Sequence, residues 1–397
     1  MINKKIVEFN LKNDKKLYFS PFSNQFWLDE ISSDMVYDYY DTSLTEMRLE
    51  ITHLCNGNCA YCIVFGNKIE KIESLNVKKS WEWFTTQPWF EKIKKIFIIG
   101  GEPLIKFDDI AFILENFNGE VRFSTNGTLI TTEIAKKLSK HNVLVYISLD
   151  GPQFQNNLMR VYKNGSYMYN DIIRGLHILI KEGVRYGIFM VATKDNVHIA
   201  VDIIGKINEM FHPARIGYSM PHWTNNNMNE VSGEEYGEAL LSLYKYRKSI
   251  KTEIMQVNWR IKPLWQGKVK KFSCALHTSQ TTVLPNKSIV RCAKIDDDST
   301  LKKISNDELN QNCPLSLAEK DIQPCVSCIA LASCGGGCPF DGLKRFGGVI
   351  DKRECIITPP IVNMAIKDII SRVEENKSMP NGLIPLETIK EILYING

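Results

Sequence analysis

The stretch CNGNCAYC at residues 55–62 places three cysteines, Cys55, Cys59 and Cys62, within eight residues. Three thiolates can each bind one iron of a 4Fe–4S cube, which leaves the fourth iron without a protein ligand and open to a small molecule. The alternative is zinc, and His53 or a distant residue would then have to supply the fourth ligand. Zinc sites usually show paired Cys-x-x-Cys knuckles, so the spacing favours the iron–sulfur interpretation.

The remaining cysteines lie far from this motif. Of eleven cysteines in 397 residues, eight lie between Cys274 and Cys355, and none lies between residues 63 and 273. The N-terminal residues lack the apolar core of a signal peptide, and no apolar stretch reaches the roughly 20 residues that span a bilayer. We therefore expect a cytoplasmic protein, in which disulfides are rare and dense cysteine clusters indicate metal binding or catalysis.

The charge pattern does not favour a polyanionic partner. The formal net charge is +4, and acidic and basic residues are mixed along the chain. We therefore expect neither a nucleic-acid partner nor a membrane surface.

The segments that must position the first cysteines alternate between short β-branched runs and amphipathic stretches, from residue 45 to 225. Apolar residues recur every three or four positions in 132–141 and 169–183, as they do in helices. This alternation predicts an α/β fold with a parallel sheet, either open or curled into a barrel. The candidate strands are 47–54, 95–101, 121–127, 144–151, 186–193 and 215–220.

Unusual residue clusters follow these predicted strands. Besides CNGNCAYC, they are GGEP (100–103), STNGT (124–128), SLDGP (148–152) and MPHW (220–223). Because ligands collect at the carboxyl ends of parallel strands, we expect the clusters to form one shared site. The alternative is that Gly, Pro and Asn only mark turns.

These residues together resemble the radical S-adenosylmethionine (radical SAM) enzymes. CNGNCAYC is similar to their CxxxCxΦC signature, with Tyr61 as the aromatic residue. The resemblance implies a partial (β/α)6 TIM-like barrel, a SAM-binding 4Fe–4S cluster and cleavage of SAM to a 5′-deoxyadenosyl radical. The segment QFQNNLM before Arg160 departs from the family pattern, which is usually rich in His and Asp there. The resemblance assigns SAM contacts to Tyr61, Gly100, Gly101, Glu102, Ser124, Thr125, Asn126, Ser148, Asp150, Arg160 and Val191.

The C-terminal cysteines resemble the SPASM extension of the same enzymes, which carries two auxiliary 4Fe–4S clusters. The resemblance implies that Cys325, Cys328, Cys334 and Cys355 hold an outer cluster. Cys274, Cys292 and Cys338 would hold an inner one. Cys313 is then left over, and either completes the inner cluster or is simply buried. His277 is a rival fourth ligand, and a pair of structural zinc sites is the alternative for the whole segment.

These patterns predict five segments. They are a strand and helix cap at 1–45, the barrel at 46–230, a helical linker at 231–269, the SPASM segment at 270–360 and a helical tail at 361–397.

The resemblance implies a maturase of a ribosomally synthesised peptide, with hydrogen abstraction followed by a carbon–carbon or thioether cross-link or another oxidation. A flavodoxin- or ferredoxin-type protein would supply electrons, and Tyr218 and His222 could line the substrate pocket. Sulfatase maturases are also similar, but they place an acidic residue where this chain has Ala293. That absence removes the most obvious proton acceptor. A metal-stabilised binding protein without turnover is the hypothesis from another class.

Overall fold

The computed structural model of this chain describes residues 6–31, 38–40, 43–66, 73–224, 230–274, 280–290, 292, 313–320 and 322–375. The chain divides into two compact units, each assembled from segments that are distant in sequence. One unit comprises residues 42–231 and 275–303, and the other comprises 1–41, 232–274 and 304–397.

The described strands and helices are named here in chain order. The strands are β1 Val7–Asn10, β2 Lys16–Ser20, β3 Gln25–Leu28, β4 Asp38–Tyr39, β5 Glu46–Thr52, β6 Lys95–Gly100, β7 Glu120–Thr125, β8 Val143–Ser148, β9 Tyr186–Val191, β10 Arg215–Ser219, β11 Glu253–Ile254, β12 Lys268–Val269, β13 Gln280–Val283 and β14 Ile289–Val290. The helices are α1 Ile63–Gly66, α2 Val77–Thr85, α3 Phe107–Asn116, α4 Thr132–Leu138, α5 Gln153–Met159, α6 Tyr169–Lys181, α7 Ala200–Phe211, α8 Gly233–Tyr246, α9 Met255–Gln266, α10 Pro314–Glu319, α11 Leu331–Cys334, α12 Pro339–Phe346 and α13 Glu354–Glu375.

The first unit is built on a parallel sheet in which β5 to β10 are neighbours in chain order. Helices follow most of these strands, which confirms the predicted α/β fold with its six parallel strands. One face of the sheet is fully apolar, because Ile96, Ile98, Val121 and Phe123 are all at most 1% exposed. Period-two alternation then turns the next residue of each strand to the opposite face.

That opposite face carries two layers of side chains. In the lower layer, the Arg48 guanidinium lies 5.3 Å from the Phe97 ring centroid, and Phe97 contacts Tyr146 at 5.9 Å. Tyr146 stacks on Phe189 with ring centroids 4.1 Å apart. The upper layer consists of the next inward residues toward the carboxyl ends of the strands, Glu50, Ser124, Ser148 and Val191. These residues are staggered, since the register places Ser124 opposite Tyr146 and Ser148 opposite Phe189. The predicted SAM contacts Ser124, Ser148 and Val191 therefore lie on one face of the sheet.

The sheet is extended beyond β5 by a hairpin that the sequence patterns did not predict. β13 pairs in parallel with β5, matching Thr282 to Arg48, and β14 pairs antiparallel with β13. Lys287 occupies the turn between them with a φ of 68°. The segment from 270 onward was predicted to be loop-rich, because short strands this far from their partner have no local signal.

The second unit begins with an antiparallel sheet of β1, β2 and β3, in which Phe19 packs on Phe26 at 4.6 Å. The predicted strand pair is therefore joined by a third strand, and residues 38–39 form β4. The described residues of 1–45 hold strands and one 3₁₀ turn, and the helix predicted in this segment stays a prediction. Residues 32–37 lie outside the described residues.

Helices α8, α9 and α13 make up most of the rest of this unit. Helix α8 begins with a capping box, in which Ser232 and Glu235 each bond to the other's backbone N–H. The predicted helical linker at 231–269 contains α8 and α9, and α13 runs into the predicted helical tail at 361–397. None of the described helices is both long enough and apolar enough to cross a membrane.

Candidate active site

The three-cysteine loop follows β5 directly and is held by main-chain hydrogen bonds. The N–H groups of Asn58 and Ala60 donate to the carbonyls of Val161 and Met159, at 2.8 and 3.0 Å. In return, the Lys163 N–H donates to the Asn56 carbonyl at 3.1 Å. Residues 159–163 therefore form a clamp on the loop, which sequence reasoning missed because main-chain partners leave no side-chain signature.

Gly100 and Gly101 bring a second strand end against this loop. A Cβ on Gly100 would lie 2.4 Å from the Thr52 carbonyl oxygen, and a Cβ on Gly101 would lie 2.3 Å from the Leu54 carbonyl oxygen. The Gly101 and Glu102 N–H groups instead donate to those two carbonyls, at 2.8 and 2.7 Å. Only glycine allows two backbones to approach this closely. The glycine pair therefore fixes the residues that immediately precede Cys55.

The Glu102 carboxylate is fully buried and anchors the third strand end. Its Oε1 accepts hydrogen bonds from Thr125 Oγ1 at 2.6 Å and from the Leu104 N–H at 2.9 Å. Its Oε2 accepts from the Asn126 N–H at 2.7 Å. Burial raises the pKa of Glu102, and these hydrogen bonds oppose that shift. Glu102 is one of the predicted SAM contacts, and in this structure its carboxylate accepts these three hydrogen bonds from the protein itself.

Asn126 connects the same strand end to the cysteine loop. Its Nδ2 donates to Asn56 Oδ1 at 2.8 Å, and Asn56 Nδ2 donates to Thr128 Oγ1 at 2.9 Å. The Asn126 Oδ1 accepts from the Thr128 hydroxyl at 2.8 Å. These three polar side chains tie the residue between Cys55 and Gly57 to the end of β7.

Asp150 lies at the centre of a buried charge cluster. Its Oδ2 accepts from Arg160 Nε at 2.8 Å and from the Tyr61 hydroxyl, and its Oδ1 accepts from the Val191 N–H at 2.9 Å. The Arg160 guanidinium lies 5.3 Å from the Tyr61 ring centroid and 4.0 Å, through Nη1, from Cys59 Sγ. Four predicted site residues and one cysteine are thus brought together. A cation so close to Cys59 favours its thiolate.

Tyr218 occupies a different environment from the one predicted. It is 0% exposed, and its hydroxyl donates to Asn196 Oδ1 at 3.0 Å. Asn196 in turn donates from Nδ2 to the Val191 carbonyl at 2.9 Å. These contacts make Tyr218 a packing residue that supports the loop after β9. His222 is half-buried in the segment after β10.

The donor set of the three-cysteine loop fits an iron–sulfur cluster. Burial raises the pKa of Cys59 to about 12, and burial also raises the pKa of Cys55. The three sulfurs interact electrostatically with one another. Thiols in this setting ionise when a metal centre stabilises their charge. In the zinc alternative His53 or a distant residue would supply the fourth ligand, and His53 Nδ1 accepts a hydrogen bond from the Glu73 N–H at 3.2 Å, which leaves only Nε2 for a metal.

A second cysteine site lies in the other unit. One pocket there is lined by Cys325, Cys328, Cys334 and Cys355, together with Glu354 and apolar residues. These are the four cysteines predicted to hold the outer cluster. The Gly336 N–H donates to Cys334 Sγ at 3.4 Å, and Gly335, Gly336 and Gly337 all have φ between 67 and 78°. A run of left-handed residues of this kind turns backbone N–H groups toward sulfur.

Glu354, which lines this pocket, is neutralised by a buried arginine. Arg260 bonds to both carboxylate oxygens, with Nη2–Oε1 at 2.5 Å and Nε–Oε2 at 3.2 Å, and the Thr358 hydroxyl donates to Oε2 at 2.5 Å. The pKa of Glu354 is lowered, because the Arg260 charge and these hydrogen bonds outweigh the effect of burial. Sequence reasoning missed this pair, since its members lie 94 positions apart.

The other cysteines are placed differently. Cys313 is 2% exposed and packs in a cluster with Phe22, Val269 and Leu315 that also contains Cys325, while its thiol donates to Ser316 Oγ at 3.4 Å. Cys274 is exposed, and Cys292 and Cys338 are half-buried. His277 and Ala293 lie outside the described residues.

Glu50 is a residue of the upper barrel layer that sequence reasoning missed. It lies five positions before Cys55 and is 5% exposed. The available signal was a single acid between Leu49 and Ile51 in a strand that leads into the cysteine loop.

Comparisons with known proteins agree with this geometry. The Radical SAM superfamily model matches residues 49–204. The cyclopropyl synthase TigE of Paramaledivibacter caminithermalis, named as a radical SAM enzyme, is 22% identical over 372 residues, which cover 81% of this chain and 74% of TigE. The chain spans about half the length, 53%, of two archaeal relatives of uncharacterized function.

Two solved structures share the fold. Native anSMEcpe with bound AdoMet and Cp18Cys peptide aligns with a TM-score of 0.62 and 19% identity, covering 84% of this chain and 100% of that one. Streptococcus suis SuiB bound to precursor peptide SuiA aligns with a TM-score of 0.57 and 16% identity, covering 80% of this chain and 76% of SuiB.

Proposed function

Because residues 49–204 form a radical SAM domain, we propose that this chain is a radical SAM peptide maturase with a SPASM-type C-terminal segment. The observation that carries the proposal is the presence of two cysteine sites: a loop with three thiols and a separate pocket with four. The peptide substrate is supported by two neighbours in fold, which bind a Cp18Cys peptide and the precursor peptide SuiA.

We assign the cluster that binds SAM to Cys55, Cys59 and Cys62, and SAM itself to the layer formed by Ser124, Ser148 and Val191. When bound, the cluster supplies the electron that cleaves SAM to a 5′-deoxyadenosyl radical, which removes a hydrogen atom from the peptide. Asp150 holds Arg160 and the Val191 backbone, so the charge of Arg160 stays beside Cys59. Burial of this network keeps bulk water away from the Asp150–Arg160 pair.

The outer auxiliary cluster is assigned to Cys325, Cys328, Cys334 and Cys355. It would accept the electron left on the peptide after hydrogen abstraction. The inner cluster, with Cys274, Cys292 and Cys338, remains part of the proposal. The apolar surroundings of Cys313 favour a core residue over a ligand. A flavodoxin- or ferredoxin-type protein would reduce the SAM cluster.

Two experiments test the function. The purified protein is reconstituted anaerobically, and the gene is separately co-expressed with the small open reading frames beside it. We expect iron–sulfur absorption, SAM-dependent 5′-deoxyadenosine and a peptide that has lost two hydrogens per cross-link by mass spectrometry. An epimerised peptide keeps its mass and would instead be detected by deuterium labelling. The matched control is Cys59→Ala, for which neither 5′-deoxyadenosine nor modified peptide should form. A wild-type protein that binds iron and sulfide but never cleaves SAM would indicate the binding-protein alternative.

The second candidate is a sulfatase-type maturase, which the fold shared with anSMEcpe favours. Ala293 opposes it, because that position lacks a carboxylate to accept a proton. Incubation with the Cp18Cys peptide separates the two candidates. We expect the peptide to be recovered unchanged. Conversion of its cysteine to formylglycine would favour the sulfatase-type maturase over the proposed function.

A further inference from the structure

Glu50 places a carboxylate inside the barrel at the level of the proposed SAM site. β5 pairs Glu50 with Ile99 of β6, and Ile98 pairs with Phe123 of β7, which brings Ser124 next in register. Glu50 shares its face of the sheet with Arg48, whose guanidinium contacts the Phe97 ring on the barrel interior. The carboxylate therefore lies on the inward face of the sheet, level in register with Ser124.

This carboxylate has fewer partners than the other buried acids of the site. Across the part of the chain that the structure describes, no hydrogen bond reaches its oxygens, and the nearest charged group is His53, with Nε2 3.9 Å from Oε1. Because His53 Nδ1 accepts from the Glu73 N–H, a neutral His53 ring carries its hydrogen on Nε2, the nitrogen nearer Glu50. Arg48 turns toward Phe97 and does not pair with Glu50.

Burial of an unpaired carboxyl group destabilises a fold. The neighbouring buried acids show how this chain otherwise treats such groups: Glu102 accepts three hydrogen bonds, and Asp150 pairs with Arg160. A buried acid that accepts no hydrogen bond from the described residues, has a histidine 3.9 Å away and lies on the face that carries the proposed SAM contacts matches the environment of proton-transfer residues.

We propose that Glu50 is the proton acceptor that completes the peptide modification, a role that rests on the proposed function. The abstracted hydrogen atom leaves the peptide carbon and forms the new C–H bond of 5′-deoxyadenosine. The carbon radical then bonds to a second peptide group that carries a hydrogen, and this hydrogen leaves as a proton to the Glu50 carboxylate. The remaining electron passes to an auxiliary 4Fe–4S cluster, so that atoms and electrons balance.

The test compares Glu50→Gln with the wild type, with Glu50→Asp, and with Glu46→Gln, a control at the opposite end of the same strand. Each variant is purified and reconstituted anaerobically, and in a separate experiment it is co-expressed with the neighbouring open reading frames. SAM affinity, 5′-deoxyadenosine, modified peptide and the electron paramagnetic resonance spectrum are measured. We expect Glu50→Gln to keep SAM affinity and 5′-deoxyadenosine formation within about twofold and to lose modified peptide by about 100-fold or more. Glu50→Asp should retain an intermediate yield, and Glu46→Gln should match the wild type.

A spectroscopic signature separates proton transfer from a structural effect. If the proton cannot leave, the peptide radical persists, and freeze-quenched Glu50→Gln should show an organic radical signal that the wild type lacks. Full product from Glu50→Gln would overturn the proposal, as would loss of SAM binding, because Glu50 would then be a SAM contact. A wild type that cleaves SAM but modifies no peptide would refute the proposed function, and this role of Glu50 with it.

Discussion

At the scale of single residues, the candidate site depends on how each buried charge is compensated. Arg160 and Asp150 lie inside the barrel with side chains 8% and 0% exposed, and they are paired. Removal of one member of such a pair leaves the other as an uncompensated buried charge, which is more costly than removal of both.

Asp150→Asn should therefore destabilise the fold by about 3–5 kcal/mol, because Arg160 keeps its charge while its partner becomes neutral. Urea denaturation followed by tryptophan fluorescence measures the free energy of unfolding. Asp171→Asn is a matched control, since its pair with Arg174 is half-exposed and should contribute at most about 1 kcal/mol. Equal losses in the two variants would contradict a special role for the buried pair.

Whereas the charge of Asp150 stabilises the fold, the charge of Glu50 should destabilise it. Burial raises its pKa to about 7, whereas an unfolded glutamate titrates near pH 4.3. The folded state thus holds the proton more tightly than the unfolded state. The contribution of this residue to stability is greatest below about pH 4 and falls as pH rises to about 7.

Glu50→Gln should remove this pH dependence, because an amide does not ionise. At pH 8 the variant should be more stable than the wild type by up to about 3 kcal/mol, and at pH 4 the two should be similar. Denaturation curves at both pH values test this, with Glu46→Gln as the control that follows the wild type. A variant that is less stable at pH 8 would show that the carboxylate has a stabilising partner.

At the scale of elements, the barrel strands were predictable because β-branched runs and the turn residues after them are local signals. All six strands begin within one residue of their predicted starts and end one to three residues before their predicted ends. The clamp from residues 159–163 was not predictable, because it consists of amides and carbonyls that every residue carries. The pairing of β13 with β5 was not predictable either, since its partners, such as Thr282 and Arg48, are remote in sequence.

The junction between β6 and the cysteine loop provides an element-scale prediction. In Gly101→Ala, the new Cβ would lie 2.3 Å from the Leu54 carbonyl oxygen, so the loop that begins at Cys55 must shift. We expect destabilisation of about 1–3 kcal/mol and weaker assembly of the SAM cluster. Iron content and unfolding midpoint measure the two effects.

Gly348→Ala is the control for this substitution, because a Cβ there meets nothing within 4 Å. This variant should retain full iron content. If Gly101→Ala also does so, the close backbone approach does not determine the geometry of the cysteine loop.

At the scale of the whole molecule, the two cysteine sites lie in separate compact units. The composition of the second site was predictable from the family resemblance, because the four cysteines that it assigns to an outer cluster line one pocket. The charge balance of that pocket was not predictable, because Glu354 meets its partner Arg260 only through the packing of α9 against α13.

Separate sites should lose their metal separately. Cys328→Ser should lower the iron content by the four atoms of one cluster while SAM cleavage persists, because Cys55, Cys59 and Cys62 are unchanged. Cys313→Ala should leave the iron content unaltered, since Cys313 packs among apolar side chains. Equal iron losses in the two variants would show that Cys313 is a ligand after all.

The two units also constrain the order of events during synthesis on the ribosome. Residues 275–303 belong with the barrel, and residues 1–41 belong with the C-terminal cysteine segment. At about 5–20 residues per second, many seconds pass between emergence of β5 and of its neighbour β13. During that interval the β5 edge of the nascent sheet has no neighbouring strand. The N-terminal strands β1 to β3 are without the C-terminal segments of their unit for even longer. Chaperones that shield unpaired strand edges would therefore have their greatest effect on this protein before translation ends.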